Sequence, residues 1–336
     1  MQLNAIFSSG MVFAKDHPIR IYGTGEGRAE IVFAGIKQQI VSQNGEWFVE
    51  FHPMECGGPH ELVLTTEGKE IVLNDIYVGE VYLFAGQSNM QFKIKQGQDD
   101  PAFCETNEML RLFSPRCIED TDFYKPEDGW VKAEKSMAPM WSALAHYTGI
   151  QLAKKKNIAI GIIACYQGAS VIESWVPKGV LEQNGIFVEQ KDKGPSHYTE
   201  PYCAWNHNGQ LYDHMISQVK PFSLTGVVWY QGESDTTVAE AKVYDKELTI
   251  LIDTWRKDFA DPELPFVIIQ IADYDKRDDE GWHMIQQVQY DIQFTVPHVT
   301  TVISADACRS DDVHPPKKYA LAQKLANALL NNQGKV

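Results

Sequence analysis

The chain has 336 residues, of which 44% are hydrophobic and 22% are charged, as is typical of a globular protein and not of a fibrous or disordered one. Its net charge of -15 argues against a nucleic-acid partner, because phosphate binding needs a clustered basic surface. No stretch has the length of a membrane span, and the first residues do not resemble a signal peptide, so we expect a cytoplasmic protein without a membrane partner.

The cysteines are scattered and show neither a C-x-x-C pair nor a zinc-binding spacing. We expect them to be free thiols in a reducing compartment. The six positions are Cys56, Cys104, Cys117, Cys165, Cys203 and Cys308.

Residues 1–78 are predicted to form a small antiparallel β-sandwich domain. Turn signals separate short runs of strand-forming residues, and the pair Asn44 and Gly45 is typical of a β-hairpin. The runs are at 18–22, 29–33, 38–42, 46–50, 61–65 and 70–73.

Residues 79–336 are predicted to form a second domain, in which strands alternate with helices. One helical face carries Tyr244, Leu248, Leu251, Ile252 and Trp255, and a similar spacing recurs near the C-terminus. Such alternation indicates a doubly wound parallel sheet with helices on both faces. The predicted strands are at 81–85, 158–165, 226–230, 266–272 and 299–304. The ranges 97–140 and 178–215 are predicted to be functional loops or flexible linkers.

Ser88 lies just beyond the strand 81–85. Gly86 lets the backbone turn sharply at the end of that strand, so Ser88 would stand at the carboxyl edge of the sheet, where α/β folds bind ligands. A Ser between a strand and a helix commonly caps the helix, and on this segment alone the cap and the nucleophile are both open interpretations.

Two more turns follow predicted strands. Gly168 comes after the strand 158–165, and a Gly there allows a backbone N–H to approach a ligand closely. Gln231 directly follows the strand 226–230 and would offer two N–H donors. The alternative in each case is an ordinary turn. After Gln231, Glu233 or Ser234 would then cap the next helix.

The segment after the last strand contains Asp311 and His314 in a D-x-x-H spacing. On a turn, this spacing can bring the carboxylate to the imidazole and stabilise its charged form, although many surface histidines show the same pattern. Taken together, these sites supply a hydroxyl nucleophile, a base and N–H donors at one sheet edge. Ester hydrolysis needs those groups.

At four places these motifs resemble the sialate O-acetylesterase group of the SGNH hydrolases, namely residues 86–90, 168–175, 229–234 and 312–315. The resemblance covers nearly the whole chain. It implies an α/β fold, with a flavodoxin-like three-layer SGNH hydrolase sheet next to the small N-terminal β-sandwich. It also implies a carbohydrate O-acetylesterase that releases acetate from O-acetylated mono- or oligosaccharides without a metal or other cofactor.

By this resemblance, Ser88 is the nucleophile and His314 the general base and later acid. The oxyanion hole would consist of the backbone N–H groups of Ser88 and Gly168 and the side chain of Gln231. The spacing favours Asp311 as the acid that supports His314. The group's D-I-H-P pattern matches Asp312 instead, and Glu233 is a more remote alternative.

The group commonly carries an Arg where this chain has Gln286, which weakens the case for a sialate substrate. An acetylxylan or other hemicellulose esterase is the close alternative. An unrelated ester or thioester hydrolase, or a glycan-binding protein without activity, is less favoured.

Aromatic and polar residues near the predicted active end are expected to contact the sugar, although most tryptophans of a globular protein pack in its core. The histidines show no spacing typical of metal ligands, so we expect them to be structural or exposed. The expected contacts are Asn89, Glu233, Trp175, Trp205 and Trp282, and these histidines are His146, His197, His207, His214, His283 and His298.

Overall fold

The computed structural model describes residues 1–115, 129–187, 204–277, 279–308 and 311–331. The fold is mixed α/β, and a large mixed sheet forms its centre. Cys117, Cys203 and His197 lie outside the described residues, and so does the side chain of Cys308. Cys56, Cys104 and Cys165 are free thiols, as expected.

The N-terminal region is built of short β-strands. Its predicted strands are confirmed with small shifts of their ends, and Asn44 and Gly45 form the predicted hairpin turn. The strands are β1 (Gln2–Leu3), β2 (Val12–Ala14), β3 (Ile19–Thr24), β4 (Arg28–Phe33), β5 (Ile36–Val41), β6 (Glu46–Phe51) and β7 (Gly57–Thr66). β1, β3 and β6 form a three-stranded antiparallel sheet, while β4 pairs with both β5 and β7.

One strand of 18 residues, β8 (Lys69–Gly86), connects this region to the central sheet. The sequence predicts two strands here, at 70–73 and 81–85, and a domain boundary after residue 78. The polar residues Asn74 and Asp75 interrupt the apolar run, yet the backbone stays extended because β8 pairs with β7 and β2 in its first half and with central strands in its second.

The central sheet continues through six more strands: β9 (Asn107–Phe113), β10 (Val131–Ala133), β11 (Ile160–Tyr166), β12 (Gly226–Tyr230), β13 (Phe266–Ile269) and β14 (Val299–Val302). Their order with β8 is β10-β9-β11-β8-β12-β13-β14, and all but β10 run parallel. All five predicted parallel strands are present. β9 and β10 were missed because they lie in a range dominated by polar and irregular sequence.

The longer helices pack apolar faces onto this sheet. In α6 the predicted face of Tyr244, Leu248, Leu251, Ile252 and Trp255 is completely buried. The helices are α1 (Ser88–Gln91), α2 (Ala143–Lys156), α3 (Val180–Gln183), α4 (Ser217–Val219), α5 (Val238–Ala241), α6 (Tyr244–Asp258), α7 (Glu280–Thr295), α8 (Ala305–Cys308) and α9 (Tyr319–Asn331). Within the ranges given above, no helix is both long enough and apolar enough to cross a membrane.

Candidate active site

Three neighbouring parallel strands end at the same level, and each is followed by a predicted site residue. In the register of the sheet, Gly86 of β8 lies beside Tyr166 of β11 on one side and Tyr230 of β12 on the other. The chain continues from these ends to Ser88, Gly168 and Gln231. The parallel sheet therefore brings together three motifs that are far apart in the sequence.

The turn after β8 requires a glycine. Gly86 has φ of 137°, and a Cβ built there would lie 2.0 Å from the carbonyl oxygen of Tyr230. Only a residue without a side chain adopts this conformation so close to a neighbouring strand. The turn directs the chain into α1, whose first residue is Ser88.

Ser88 is half-buried, and no side-chain cap closes the start of its helix. The first N–H groups of a helix have no partner within the helix, and Ser88 is the first residue of α1. The cap interpretation is not supported, because Gln87 and not Ser88 occupies the N-cap position.

Gly168 lies against Ser88. A Cβ built on Gly168 would be 3.6 Å from the Cβ of Ser88, so the two backbones are close neighbours. The N–H of Gly168 donates a hydrogen bond of 2.8 Å to Oε1 of Gln91, at the end of α1. This N–H is therefore close to the Ser88 side chain, and its hydrogen-bond acceptor in the structure is the side-chain oxygen of Gln91.

His314 lies on the loop that follows α8. Its ring stacks on Phe92, just after α1, with 6.3 Å between the ring centroids. Nδ1 lies 3.9 Å from Oδ1 of Asp312, whereas the buried Nε2 has no hydrogen-bond partner in the described part of the chain. Burial lowers the pKa of His314, the charge of Lys318 lowers it further, and Asp312 acts in the opposite direction.

The carboxylate beside this ring belongs to Asp312, the alternative that the motif pattern suggested. Its Oδ1 also accepts a hydrogen bond of 3.0 Å from the His314 backbone N–H, which folds the loop into a tight turn. Both aspartates are exposed, and the carboxylate that lies 3.9 Å from Nδ1 is that of Asp312 and not that of Asp311, which was favoured on spacing. The geometry therefore does not support Asp311 as the partner of His314.

Asn89 connects the Ser88 helix to the His314 loop. Its Nδ2 donates to the carbonyl oxygen of Val313 at 2.9 Å and to Oε1 of Glu233 at 2.6 Å, while its Oδ1 accepts from Nζ of Lys318 at 2.6 Å. The residue that follows Ser88 and the residue that precedes His314 are therefore joined by a hydrogen bond. Asn89 is 1% exposed, so the predicted contact with a sugar is not supported.

Glu233 is also inside the protein. Its Oε2 is buried without a hydrogen-bond partner among the described residues, and burial raises the pKa of the carboxyl group. Asn89 and Lys318 act against that rise. The recorded contact of Glu233 is with Asn89, so the structure supports neither a sugar contact nor a direct role beside His314.

Gln231 is fully buried, and both its N–H donors bind protein groups. Nε2 donates to the carbonyl oxygen of Ser170 at 2.9 Å and to the carboxylate of Asp235, while Oε1 accepts from the hydroxyl of Tyr244 at 3.0 Å. A primary amide has only two N–H donors, so none is left for an oxyanion in this conformation. The recorded geometry does not support the predicted oxyanion role.

The predicted tryptophan contacts are core residues. Trp175 is 0% exposed and packs edge-on against Trp229, with 5.7 Å between centroids. Trp205 and Trp282 are each 3% exposed, and the indole N–H of Trp282 donates to the carbonyl oxygen of Ala272. Their faces are covered by the protein, so the structure does not support a sugar platform formed by these rings.

Sequence reasoning missed Gln91 and Lys318, which contact the site. Gln91 directly follows the motif at 86–90, and Lys318 is three residues beyond the motif at 312–315. No spacing pattern in the sequence predicts the contacts that these two side chains make. Among the described residues, no group of three or more His, Cys, Asp or Glu side chains could hold a metal ion.

The family model described as "Carbohydrate esterase, sialic acid-specific acetylesterase" matches residues 78–331. The human sialate O-acetylesterase is 26% identical over 328 residues, covering 85% of this chain and 60% of that protein. The mouse sialate O-acetylesterase is 25% identical, with 85% of this chain and 63% of that protein covered. The chain thus spans about 60% of the length of these relatives.

Solved structures show the same fold. A carbohydrate acetylesterase from Xanthomonas citri superposes with a TM-score of 0.86 and 25% identity, covering 99% of this chain and 76% of that one. A protein from Arabidopsis thaliana gives a TM-score of 0.52 and 20% identity over 75% of this chain and 98% of its own. The match over three quarters of the sequence shows that this chain belongs to the carbohydrate esterase family of sialic acid-specific acetylesterases.

Proposed function

We propose that the chain is a serine esterase of the SGNH hydrolase type that releases acetate from O-acetylated sugars. The observation that carries the proposal is the hydrogen bond of 2.9 Å between Asn89 and Val313, because it ties the residue after Ser88 to the residue before His314. A flavodoxin-like three-layer arrangement and an N-terminal β-sandwich are part of the same proposal.

The orientation of His314 suits a general base. Asp312 lies on the Nδ1 side of the ring and favours the tautomer with its proton on Nδ1. Nε2 then carries a lone pair, and this buried atom has no hydrogen-bond partner within the described ranges. The depressed pKa keeps the ring neutral near neutral pH, as proton abstraction requires.

The proposed reaction has two steps. Nε2 of His314 takes the Ser88 proton as Oγ attacks the acetyl carbonyl, and the tetrahedral oxyanion collapses as the sugar oxygen leaves with that proton. His314 then deprotonates a water molecule, which attacks the acetyl-serine; the proton passes from His314 to the Ser88 oxygen, and acetic acid leaves and ionises to acetate in solution. Both oxyanions need N–H donors beside Ser88.

The donors that we propose are the backbone N–H groups of Ser88 and Gly168. The oxygen of Gln91 now bound to the Gly168 N–H occupies the kind of position that a carbonyl oxygen of the substrate would take. We therefore propose that the Gln91 side chain moves aside when the acetyl group binds. Gln231 then has a supporting role, since it holds Ser170, Asp235 and Tyr244 behind the site.

One contact favours a neutral sugar over a sialate. Gln286 stands where the resembling group commonly carries an Arg, and its Nε2 donates to the Ile271 carbonyl and to Asp273 at 3.1 and 3.0 Å. A neutral amide committed to these groups has no positive charge for a sugar carboxylate. An acetylxylan or other hemicellulose esterase is therefore the second candidate.

The test is acetate release from O-acetyl sialic acid and from acetylated xylan, with p-nitrophenyl acetate as a general ester. We expect Ser88→Ala to lower kcat by about a thousandfold or more on every substrate that the chain hydrolyses, because it removes the attacking oxygen. Ser9→Ala, in the N-terminal region, is the matched control. Near-full activity of purified Ser88→Ala would end the serine mechanism, and no hydrolysis of any acetyl ester by the wild type would favour a glycan-binding protein.

A further inference from the structure

A buried lysine lies at the centre of the candidate site. Lys318 is 0% exposed, immediately before α9, and its Nζ is 5.1 Å from the ring centroid of Phe92 and 5.9 Å from that of Tyr230. Lysine is almost never fully buried unless its charge is compensated. Neither the resemblance nor the proposed reaction gives this residue a function.

The contact of Lys318 with Asn89 determines how the amide of Asn89 is oriented. An ammonium group has three donors and no acceptor, so the atom of Asn89 that lies 2.6 Å from Nζ has to be the oxygen. The amide nitrogen of Asn89 must then face Val313 and Glu233, which both offer oxygen acceptors. Lys318 thus fixes the hydrogen bond that joins the Ser88 helix to the His314 loop.

The backbone of Lys318 is held firmly as well. Its N–H donates to Oδ2 of Asp99 at 2.8 Å, and the next N–H, of Tyr319, donates to Oδ1 of the same carboxylate at 3.2 Å. Two residues earlier, the carbonyl oxygen of Pro316 accepts from the N–H of Gln98 at 2.8 Å. The lysine therefore extends from a fixed point, four residues after His314.

We propose that Lys318 is a positioning residue of this site, which acts through Asn89 to hold the Ser88 helix in register with the His314 loop. The proposal deepens the proposed esterase function and rests on it. Lys318 does not touch the acetyl group in this scheme; it fixes the amide that sets the distance between nucleophile and base.

The charge of Lys318 has a second effect, on the imidazole. The charged groups that act on His314 are Asp312, from its own loop, and Lys318, from the start of α9, while the Phe92 ring covers it from the side of α1. Lys318 lowers the pKa of His314 and so disfavours the imidazolium. Removal of this charge should raise that pKa, and activity should then need a higher pH.

The first experiment compares Lys318→Met with Lys317→Met, an exposed neighbour, on p-nitrophenyl acetate across pH. We expect Lys318→Met to lower kcat by about tenfold to a hundredfold with a smaller change in KM, because it disturbs the alignment of the reacting groups. The acid limb of kcat/KM should move to higher pH in Lys318→Met and stay in place in Lys317→Met. Identical profiles for the two variants would overturn the proposal.

The second experiment asks whether Lys318 acts through Asn89. In a double-mutant cycle with Asn89→Ala, we expect the double variant to lose no more activity than the worse single variant, because both changes break one connection. Additive losses would contradict a path through Asn89.

A third measurement does not depend on activity. The pKa of His314 can be followed by NMR titration in Ser88→Ala and in Ser88→Ala with Lys318→Arg or Lys318→Met, with His314→Gln to assign the signal. We expect a higher pKa with Met and little change with Arg, which keeps the charge. An unchanged pKa of His314 in both variants would refute the charge effect. This result is distinct from a failure of the esterase proposal, which would show itself as an active Ser88→Ala variant. If Lys318→Met does not fold, Lys318→Gln takes its place, because it removes the charge but keeps N–H donors; a His314 pKa in Lys318→Gln that equals the pKa with Lys318 present would refute the charge effect.

Discussion

At the scale of single residues, the imidazole of His314 is influenced by a carboxylate, by a buried ammonium group and by its own burial. Burial and Lys318 lower its pKa, and the exposed Asp312 only partly opposes them. Because its pKa is lowered, the imidazole of His314 stays neutral at a lower pH than an ordinary histidine does. Burial is the largest of these influences, and together with the two charges it determines the pH at which the ring becomes neutral.

The first prediction concerns pH. We expect kcat/KM to rise with pH and to reach half of its maximum below pH 6.5, the ordinary value for His, because only neutral His314 accepts a proton. The measurement is kcat/KM for p-nitrophenyl acetate between about pH 4 and 8. A midpoint above 6.5 in wild-type protein would contradict the recorded environment of the ring.

The second prediction separates two neighbouring carboxylates. Asp312→Asn should lower kcat by about tenfold to a hundredfold and move the acid limb to lower pH, because it removes the charge that stabilises the imidazolium. Asp311→Asn is the matched control and should change little, since the carboxylate beside the ring, and the one that raises its pKa, is that of Asp312. The reverse result would restore the assignment based on spacing.

The third prediction concerns Gln231. Gln231→Ala removes the buried side-chain hydrogen bonds that Gln231 makes with Asp235, Ser170 and Tyr244, so we expect the free energy of unfolding to fall by about 2–4 kcal/mol. Urea titration measures this loss, and kcat is measured on the same samples. A hundredfold or larger loss of kcat at unchanged stability would instead support the oxyanion role.

At the scale of secondary-structure elements, β8 determines where the site forms. It is paired on both sides in the central sheet, and its carboxyl end opens directly into α1. Gly86 makes this transition within one residue because nothing larger than hydrogen fits beside the Tyr230 carbonyl. The position of Ser88 therefore depends on a backbone contact between two strands.

The fourth prediction tests this turn. Gly86→Ala places a methyl group 2.0 Å from a carbonyl oxygen at a φ of 137°, so we expect it to cost more than about 3 kcal/mol of unfolding free energy or to prevent folding. Gly68→Ala is the matched control, since Gly68 also has a positive φ, of 78°, but has open space around it. The control should cost only about 1 kcal/mol. Equal losses in urea titrations would show that contact with Tyr230 is unimportant.

At the scale of the whole molecule, the N-terminal strands and the central sheet share buried contacts. The indole N–H of Trp130 donates to the carbonyl oxygen of Ile6 at 2.7 Å. Arg111 is 1% exposed, and its guanidinium donates to the carbonyl oxygen of Gly10 at 2.9 Å. Arg20 reaches the carbonyl oxygen of Phe259 at 2.7 Å. The two predicted regions are thus joined by hydrogen bonds as well as by the continuous strand β8.

The fifth prediction follows from these shared contacts. We expect urea unfolding to be a single cooperative transition, with tryptophan fluorescence and far-ultraviolet circular dichroism giving the same midpoint, because neither region keeps its buried partners without the other. Two separated transitions would instead favour an N-terminal domain at 1–78 that is stable by itself.

Much of this architecture could be predicted from local patterns. Strand and helix periodicity located the five parallel strands and the buried face of α6, because the requirement to bury apolar side chains leaves a regular spacing in the sequence. β9 was missed because its polar first half hides a strand that only its neighbours stabilise. The motif resemblance identified the family, since linked motifs at several strand ends are specific.

The sequence by itself determined the five parallel strands, the family and the residue types available for chemistry. Only the tertiary structure decided which polar groups are already paired: it binds the donors of Gln231, buries Trp175, Trp205 and Trp282, and puts Asp312 beside His314. It also brings Lys318 to Asn89, 229 positions away. The physical reason is that a hydrogen bond depends on distance and direction between side chains from different strands, and local sequence spacing contains no information about either.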